Sequence, residues 1–340
     1  MTLKKLSFFF SLPLLFLFIF PLKVQADEIG VLHQPVFEVK GDASATTTLN
    51  LFLRAGAEAI PNAPVGKYAS SSDYLIVKVY YKNPGDSNFS FSFCQHLGVG
   101  YHRCQVPIAP GEDGRVFQYY LELSDGTSTI HLPEVDWENP PFEVKVKNSD
   151  PGSASLAGEI LSDYFYQTKN FETASTSQVV IELQGIEEMK FKVGDYVVIE
   201  DPESKTQETV QVVATSSESI TVDHLNYSYP TGSLVYKKIA GAWIYLEGTD
   251  KFTTSSSDGT FEFNNLGDHP YDLEIFKEGY LPASLKGVPA GETNLKVFLA
   301  EGEWLGGLLT GPPFVIWLSL IHISEPTRPL YISYAVFCLK

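Results

Sequence analysis

The sequence predicts an all-β chain, built as tandem β-sandwiches that flank a small β-barrel-like module. Short segments alternate apolar and polar residues with the period of two that half-buried strands show. Residues 75–81, 116–123 and 271–276 are the clearest. Turn formers punctuate them at short intervals, among them Asn83-Pro84-Gly85-Asp86, Ser124-Asp125-Gly126 and Ser257-Asp258-Gly259. The composition leans to strand formers, with 23 Phe and 18 Tyr against 2 Met. At 340 residues and 44% hydrophobic content, there is enough apolar material for about two to four domains.

Residues 1–26 read as a secretory signal. Lys4 and Lys5 open a basic start, 6–20 is uncharged and apolar, and Val24-Gln25-Ala26 offers small residues for cleavage. An uncleaved anchor is the alternative, but the apolar run holds Pro13 and is short for a span. The expected location is therefore secreted or at the cell surface. At the other end, residues 319–340 resemble a translated sequencing adapter, which implies that the natural chain runs on past about Leu318. Setting aside Lys4, Lys5, Lys23, Arg328, Lys340 and Glu325 moves the net charge from −17 to about −21. Such a field repels nucleic acid and anionic membranes.

Residues 27–148 form the first expected unit. A strand at 75–81 and a hairpin pairing 88–96 with 101–106 around Gly98-Val99-Gly100 lead to strands at 116–123 and 142–146. The runs VKVYYKNPGDSNFSFSF, RVFQYYLELSDG and PPFEVKV resemble a fibronectin type III or bacterial immunoglobulin-like domain, which implies a β-sandwich. The stretch 43–72 fits that resemblance poorly and reads as an insertion.

Residues 149–155, rich in Ser, Gly, Asp and Pro, read as a linker. The second unit, 156–238, shows strands at 196–200, 208–214 and 219–222. Its run VGDYVVIE…VQVVATSSESITVD…YPTGSLV resembles small β-barrel modules of phage and surface proteins. Residues 156–169 fit a short helix or a strand equally well.

The third unit, 239–300, carries GAWIYLEGT…DGTFEFNNL…YDLEIFKEGYLP…AGETNLKVFL. This resembles the carboxypeptidase regulatory-like domain, a transthyretin-like sandwich of the CnaB type, and implies a non-catalytic accessory module with a carbohydrate-binding-like fold. The family's opening strand has no obvious match here. Residues 236–238 must serve, or a strand is borrowed from the barrel. Asp258-Gly259 supplies the positive φ of a tight hairpin. The apolar tail at 301–318 is either the start of a membrane segment, anchoring the chain through its C-terminal region, or a packed apolar tail. Pro312-Pro313 argues against a plain helix.

The sharpest chemical candidate is the hairpin CQHLGVGYHRC. Symmetric pairing about Val99 sets Cys94 against Cys104 and His96 against His102, all on one face. An exported chain favours a disulfide. A zinc site made of Cys94, His96, His102 and Cys104 is the rival, although zinc ligands usually sit on turns with longer spacings, and free thiols are the third option. Trp137, Trp243 and the many tyrosines are the residues a sugar-stacking platform would use, since aromatic faces recognise the apolar faces of sugars; core packing is the alternative for most of them, and Trp137, between Asp136 and Glu138, is the candidate ligand contact. His131 and Glu134 spell H-x-x-E but read as chance. Lys237 or Lys238 with Glu274 and Asn294 is the one set resembling the internal Lys–Asn bonds of pilin-like domains. No nucleophile elbow, P-loop, dinucleotide fingerprint or EF-hand loop occurs. No catalytic residue and no cofactor is therefore expected. The chain reads as non-enzymatic, with structural, adhesive or ligand-presenting work. Cell-wall or extracellular glycan or protein is the expected partner. A carbohydrate-binding accessory protein and an accessory region of a larger enzyme or membrane assembly are the alternatives.

Overall fold

The computed structural model describes residues 31–55, 75–98, 100–126, 128–133, 140–185, 188–302, 304–305 and 308–309. All elements among them are strands. The first unit holds β1 (Val31–Leu32), β2 (Glu38–Lys40), β3 (Thr47–Ala55), β4 (Ile76–Lys82), β5 (Ser90–Phe93), β6 (Gln95–Gly98), β7 (Tyr101–Ile108), β8 (Arg115–Ser124), β9 (Thr129–Leu132) and β10 (Phe142–Lys147). One sheet runs β1-β3-β7-β6. The other runs β2-β10-β8-β4-β5, with β9 also on β8. Strict alternation builds the sandwich core: in β8, Phe117, Tyr119, Leu121 and Leu123 are fully buried while their neighbours face out.

The expected single strand at 88–96 is two strands in opposite sheets. β5 pairs with β4 and β6 pairs with β7. The chain changes sheet at Cys94, whose amide donates to the carbonyl of Val77 at 2.9 Å. The linkage to Cys104 pins that crossing.

The segment left open between helix and strand is β11 (Ala154–Thr168), a strand of 15 residues. After it come β12 (Val179–Gln184), β13 (Tyr196–Glu200), β14 (Gln207–Thr215), β15 (Ser219–Val222) and β16 (Leu234–Lys238). The second half of β11 closes a six-stranded barrel with them, in the ring β11-β12-β15-β14-β13-β16. Tyr166, Val197, Ile199, Val210, Ile220 and Val235 fill its interior.

The third unit comprises β17 (Trp243–Leu246), β18 (Phe252–Thr254), β19 (Thr260–Leu266), β20 (Tyr271–Phe276), β21 (Ala283–Val288) and β22 (Leu295–Leu299). Here the first half of β11 runs antiparallel to β19 and parallel to β22, opposite the sheet β18-β17-β20-β21. The strand that completes this sandwich therefore precedes the barrel instead of lying at 236–238, and the expected boundary at 238/239 leaves it out. Leu156 and Ile160 of β11 belong to the third unit's core. Asp258-Gly259 does not close a hairpin either: it carries the chain from β18 in one sheet to β19 in the other. Gly259, at φ +74°, is needed there, because a Cβ would lie 3.0 Å from the carbonyl oxygen of Ile160. A two-stranded ribbon, β23 (Trp304–Leu305) with β24 (Leu308–Leu309), follows. The rest of the apolar tail lies outside the described residues. Among the described residues no helix is long and apolar enough to cross a membrane.

The first and third units meet through the outer faces of two sheets. Phe52 of β3 stacks on Tyr245 of β17 at 4.7 Å, and Tyr101 of β7 stacks on Phe276 of β20 at 3.9 Å. Arg103 lies over Trp243 and Phe252. The Tyr101 hydroxyl donates to Glu274 Oε2 at 2.9 Å. Burial raises the Glu274 carboxyl to about 7.

Candidate functional site

With one outer face of the first sandwich covered, the other meets no further unit among the described residues, and its rows can be read from the register. The central row across β5, β4 and β8 is Phe91, Tyr80, Tyr120. One flanking row is Phe93, Lys78, Glu122, continued on β9 by His131. The other contains Lys82 and Gln118, and Glu143 on β10. These residues face out because their neighbours Val77, Val79, Phe117 and Leu121 occupy the core.

The aromatic rings touch one another. Tyr80 and Tyr120 stack at 4.8 Å with planes 1° apart, Phe91 lies 5.6 Å from Tyr80 and 5.8 Å from Phe93, and Phe89 meets Tyr120 at 5.2 Å. Phe91 is 53% exposed and Phe93 65%. Burial of rings this large is normally worth about 1.5–3 kcal/mol each, so leaving two of them in water forgoes a sizeable gain. Exposed clusters of this kind mark interaction sites.

A charged strip runs through the aromatics. Lys78 Nζ lies 2.8 Å from Glu122 Oε1, and His131 Nε2 lies 3.3 Å from Glu122 Oε2. The Lys78 hydrogen bond holds the Glu122 carboxyl below its usual range, and Glu122 raises the Lys78 ammonium in turn. Lys78 Nζ also sits 5.8 Å from the ring centres of both Phe91 and Phe93. The arrangement is a fixed, partly aromatic and partly ionic surface, with donors and acceptors held between ring edges.

The hairpin candidate resolves differently. Cys94 and Cys104 form a disulfide, so the two thiolates that the zinc alternative requires are already used. The expected register holds at His96, which lies opposite His102 with the rings 4.9 Å apart, but it shifts by one residue toward the turn, where Gly98 pairs with Tyr101. His102 is buried and held down to about 4, first by burial and then by His96. Among the described residues no group of three or more His, Cys, Asp or Glu side chains is placed to hold a metal.

The remaining candidates scatter. Trp137 and Glu134 lie outside the described residues. Trp243 lies in the contact between the first and third units. Lys238 pairs with Glu159 at 2.7 Å and Lys237 with Asp195 at 2.8 Å, while Glu274 faces Tyr101, so the Lys–Glu–Asn set is not assembled. A groove of about 600 Å³ at the barrel's junction with the third unit is lined by Glu159, Gln207, Thr254, Thr260, Asn294 and Lys296. Its lysine is already engaged by Glu200 at 2.8 Å.

Tyr80, Phe91, Phe93 and Tyr120 escaped sequence reasoning, although a signal existed. In Phe89-Ser90-Phe91-Ser92-Phe93 the apolar parity falls on one face and serine on the other. Alternation alone does not say which face is inside. The pairing of Ser92 with core Val79 settles it, and the phenylalanines face out.

No family model matches the chain. No curated protein matches it either. Among solved structures it is similar to a titin fragment at 10% identity, covering 69% of this chain and 97% of that one, with a TM-score of 0.19. It is also similar to the chicken CNTN1 FN1–FN3 domains, at 12% identity, 68% of each chain and a TM-score of 0.20. The fibronectin(III)-like modules of Clostridium thermocellum CbhA match at 11% identity over 80% of this chain and 95% of that one, with a TM-score of 0.17. At these scores the likenesses carry nothing about function, and the all-β sandwich architecture rests on the chain's own sheets.

Proposed function

We propose that this chain is a non-enzymatic, exported protein in which linked β-sandwiches hold out a binding surface, and that the surface is the aromatic outer face of β4, β5 and β8. The first unit is taken to be of the fibronectin III or immunoglobulin kind and the third of the regulatory-like, transthyretin-like kind. The observation that carries the reading is the asymmetry of the first sandwich. One outer face is spent on the third unit, through Phe52 and Tyr101, while the other leaves Phe91 and Phe93 in water. Export draws support from the N-terminal basic and apolar pattern and from the Cys94–Cys104 disulfide, which suits an oxidising compartment.

The test is co-sedimentation of the purified chain with bacterial cell-wall sacculi and capture on immobilised extracellular-matrix protein. The Phe91→Ser/Phe93→Ser variant is expected to fold normally, since both rings are exposed, and to lose retention by about ten-fold or more. Equal retention of variant and wild type would remove this face as the binding surface.

A further inference from the structure

We infer that the ligand of this face is a neutral glycan of pyranose units. The inference rests on the reading above and adds the chemistry of the partner. It follows from where the charges sit. A dry protein interface has an apolar core with charged groups at its rim. Here the order is reversed: the Lys78–Glu122 pair, 2.8 Å apart, lies between Phe93 on one side and His131 on the other, beside the central row of Phe91, Tyr80 and Tyr120. An apolar partner seated on the aromatics would strip water from that pair without replacing its hydrogen bonds, which is costly. A sugar does not impose this cost. Its C–H faces cover aromatic surface while its hydroxyl groups donate to Glu122 and accept from Lys78, so the ions stay hydrogen-bonded as water leaves.

Two features narrow the class. The chain carries a net charge of −17, and Lys78, at the centre of the face, is already neutralised by Glu122. Anionic polysaccharides therefore meet no net attraction, whereas neutral chains meet no penalty. The site is also flat and pre-positioned, for the rows ride on paired strands about 4.8 Å apart and the Tyr80–Tyr120 stack is already formed. Flatness suits an extended polymer better than a small free ligand.

The experiment uses the full chain against soluble neutral hexasaccharides of glucose, xylose, mannose, galactose and N-acetylglucosamine, read by titration calorimetry. At least one series is expected to bind. Phe93→Ala and Tyr80→Ala should each weaken it by about ten-fold, while Phe171→Ser, an exposed ring on another unit, should not. The variant Lys78→Met/Glu122→Leu separates the partner classes. It should abolish glycan binding, whereas a protein partner on the same face should bind equally well or more tightly once the ions are gone. No binding to any hexasaccharide, with loss of sacculus or matrix retention in Phe91→Ser/Phe93→Ser, would overturn the glycan and leave the face standing. Unchanged retention in that variant would overturn both.

Discussion

The imidazole of His33 sits between two partners, with Nδ1 2.7 Å from the carbonyl oxygen of Phe52 and Nε2 2.8 Å from the hydroxyl of Tyr119. A neutral ring suits both, donating from Nδ1 and accepting at Nε2. A protonated ring would turn a second N–H on that hydroxyl, which already accepts from the amide of Val36 at 3.3 Å. Burial lowers the group from its ordinary value of 6.5 to about 4, against the smaller opposing effect of the Phe52 carbonyl. The folded pKa lies below the unfolded one, so the unfolded chain takes up the proton first. The stability this neutral ring contributes is present above about pH 6.5 and is lost as pH falls to about 4. The difference amounts to roughly 3 kcal/mol. Urea denaturation from pH 7 to 4 is expected to show wild type losing about that much more stability than His33→Gln. Parallel curves for the two proteins would refute the assignment.

At the scale of elements, β11 does the work of two strands. Its first half closes the third sandwich and its second half closes the barrel. Close approach to β22 requires a residue without a side chain at the pairing of Gly158 with Leu295, because a Cβ there would lie 2.4 Å from the Leu295 carbonyl oxygen. Gly158→Ala is expected to destabilise the third unit by about 1–3 kcal/mol through forced separation of the strands, measured as a lowered thermal midpoint. The barrel strands β13 and β15 were legible at their true bounds because the first is a short apolar run, the second alternates, and both end at polar turns. The helix-or-strand ambiguity at 156–169 had a physical source. β11 is buried on different faces along its length, with Leu156, then the consecutive Ile160, Leu161 and Ser162, then Tyr166 and Thr168 inside, so no single period runs through it. β5 was misread for a related reason: nothing local marks the change of sheet at Cys94.

Across the whole molecule, the first and third units are tied by rings that belong to neither sandwich core. Phe52, Tyr101, Tyr245 and Phe276 form a separate buried cluster. Wild type is expected to unfold these units in one calorimetric transition. Phe276→Ala, which removes about 3–5 kcal/mol of packing without touching the third unit's own core, should split it in two. The tie also responds to pH. Glu274, raised to about 7 by burial, is most comfortable when protonated, so its contribution is full below its ordinary value of 4.5 and lost as pH rises through about 7. Wild type is therefore expected to lose its single transition as pH rises through about 7, and Glu274→Gln to keep it over that range.

By itself the sequence determined the all-β character and the facing of Cys94 with Cys104, because period-two burial and turn chemistry are local properties written residue by residue. Tertiary structure alone decided that β11 serves two units, that Lys238 pairs with Glu159, and that Tyr101 is buried against Phe276 while Phe91 and Phe93 stay in water. Alternation assigns each side chain to one of two faces. Which face meets another sheet, another unit or solvent depends on partners far away in the chain, and no local pattern encodes them.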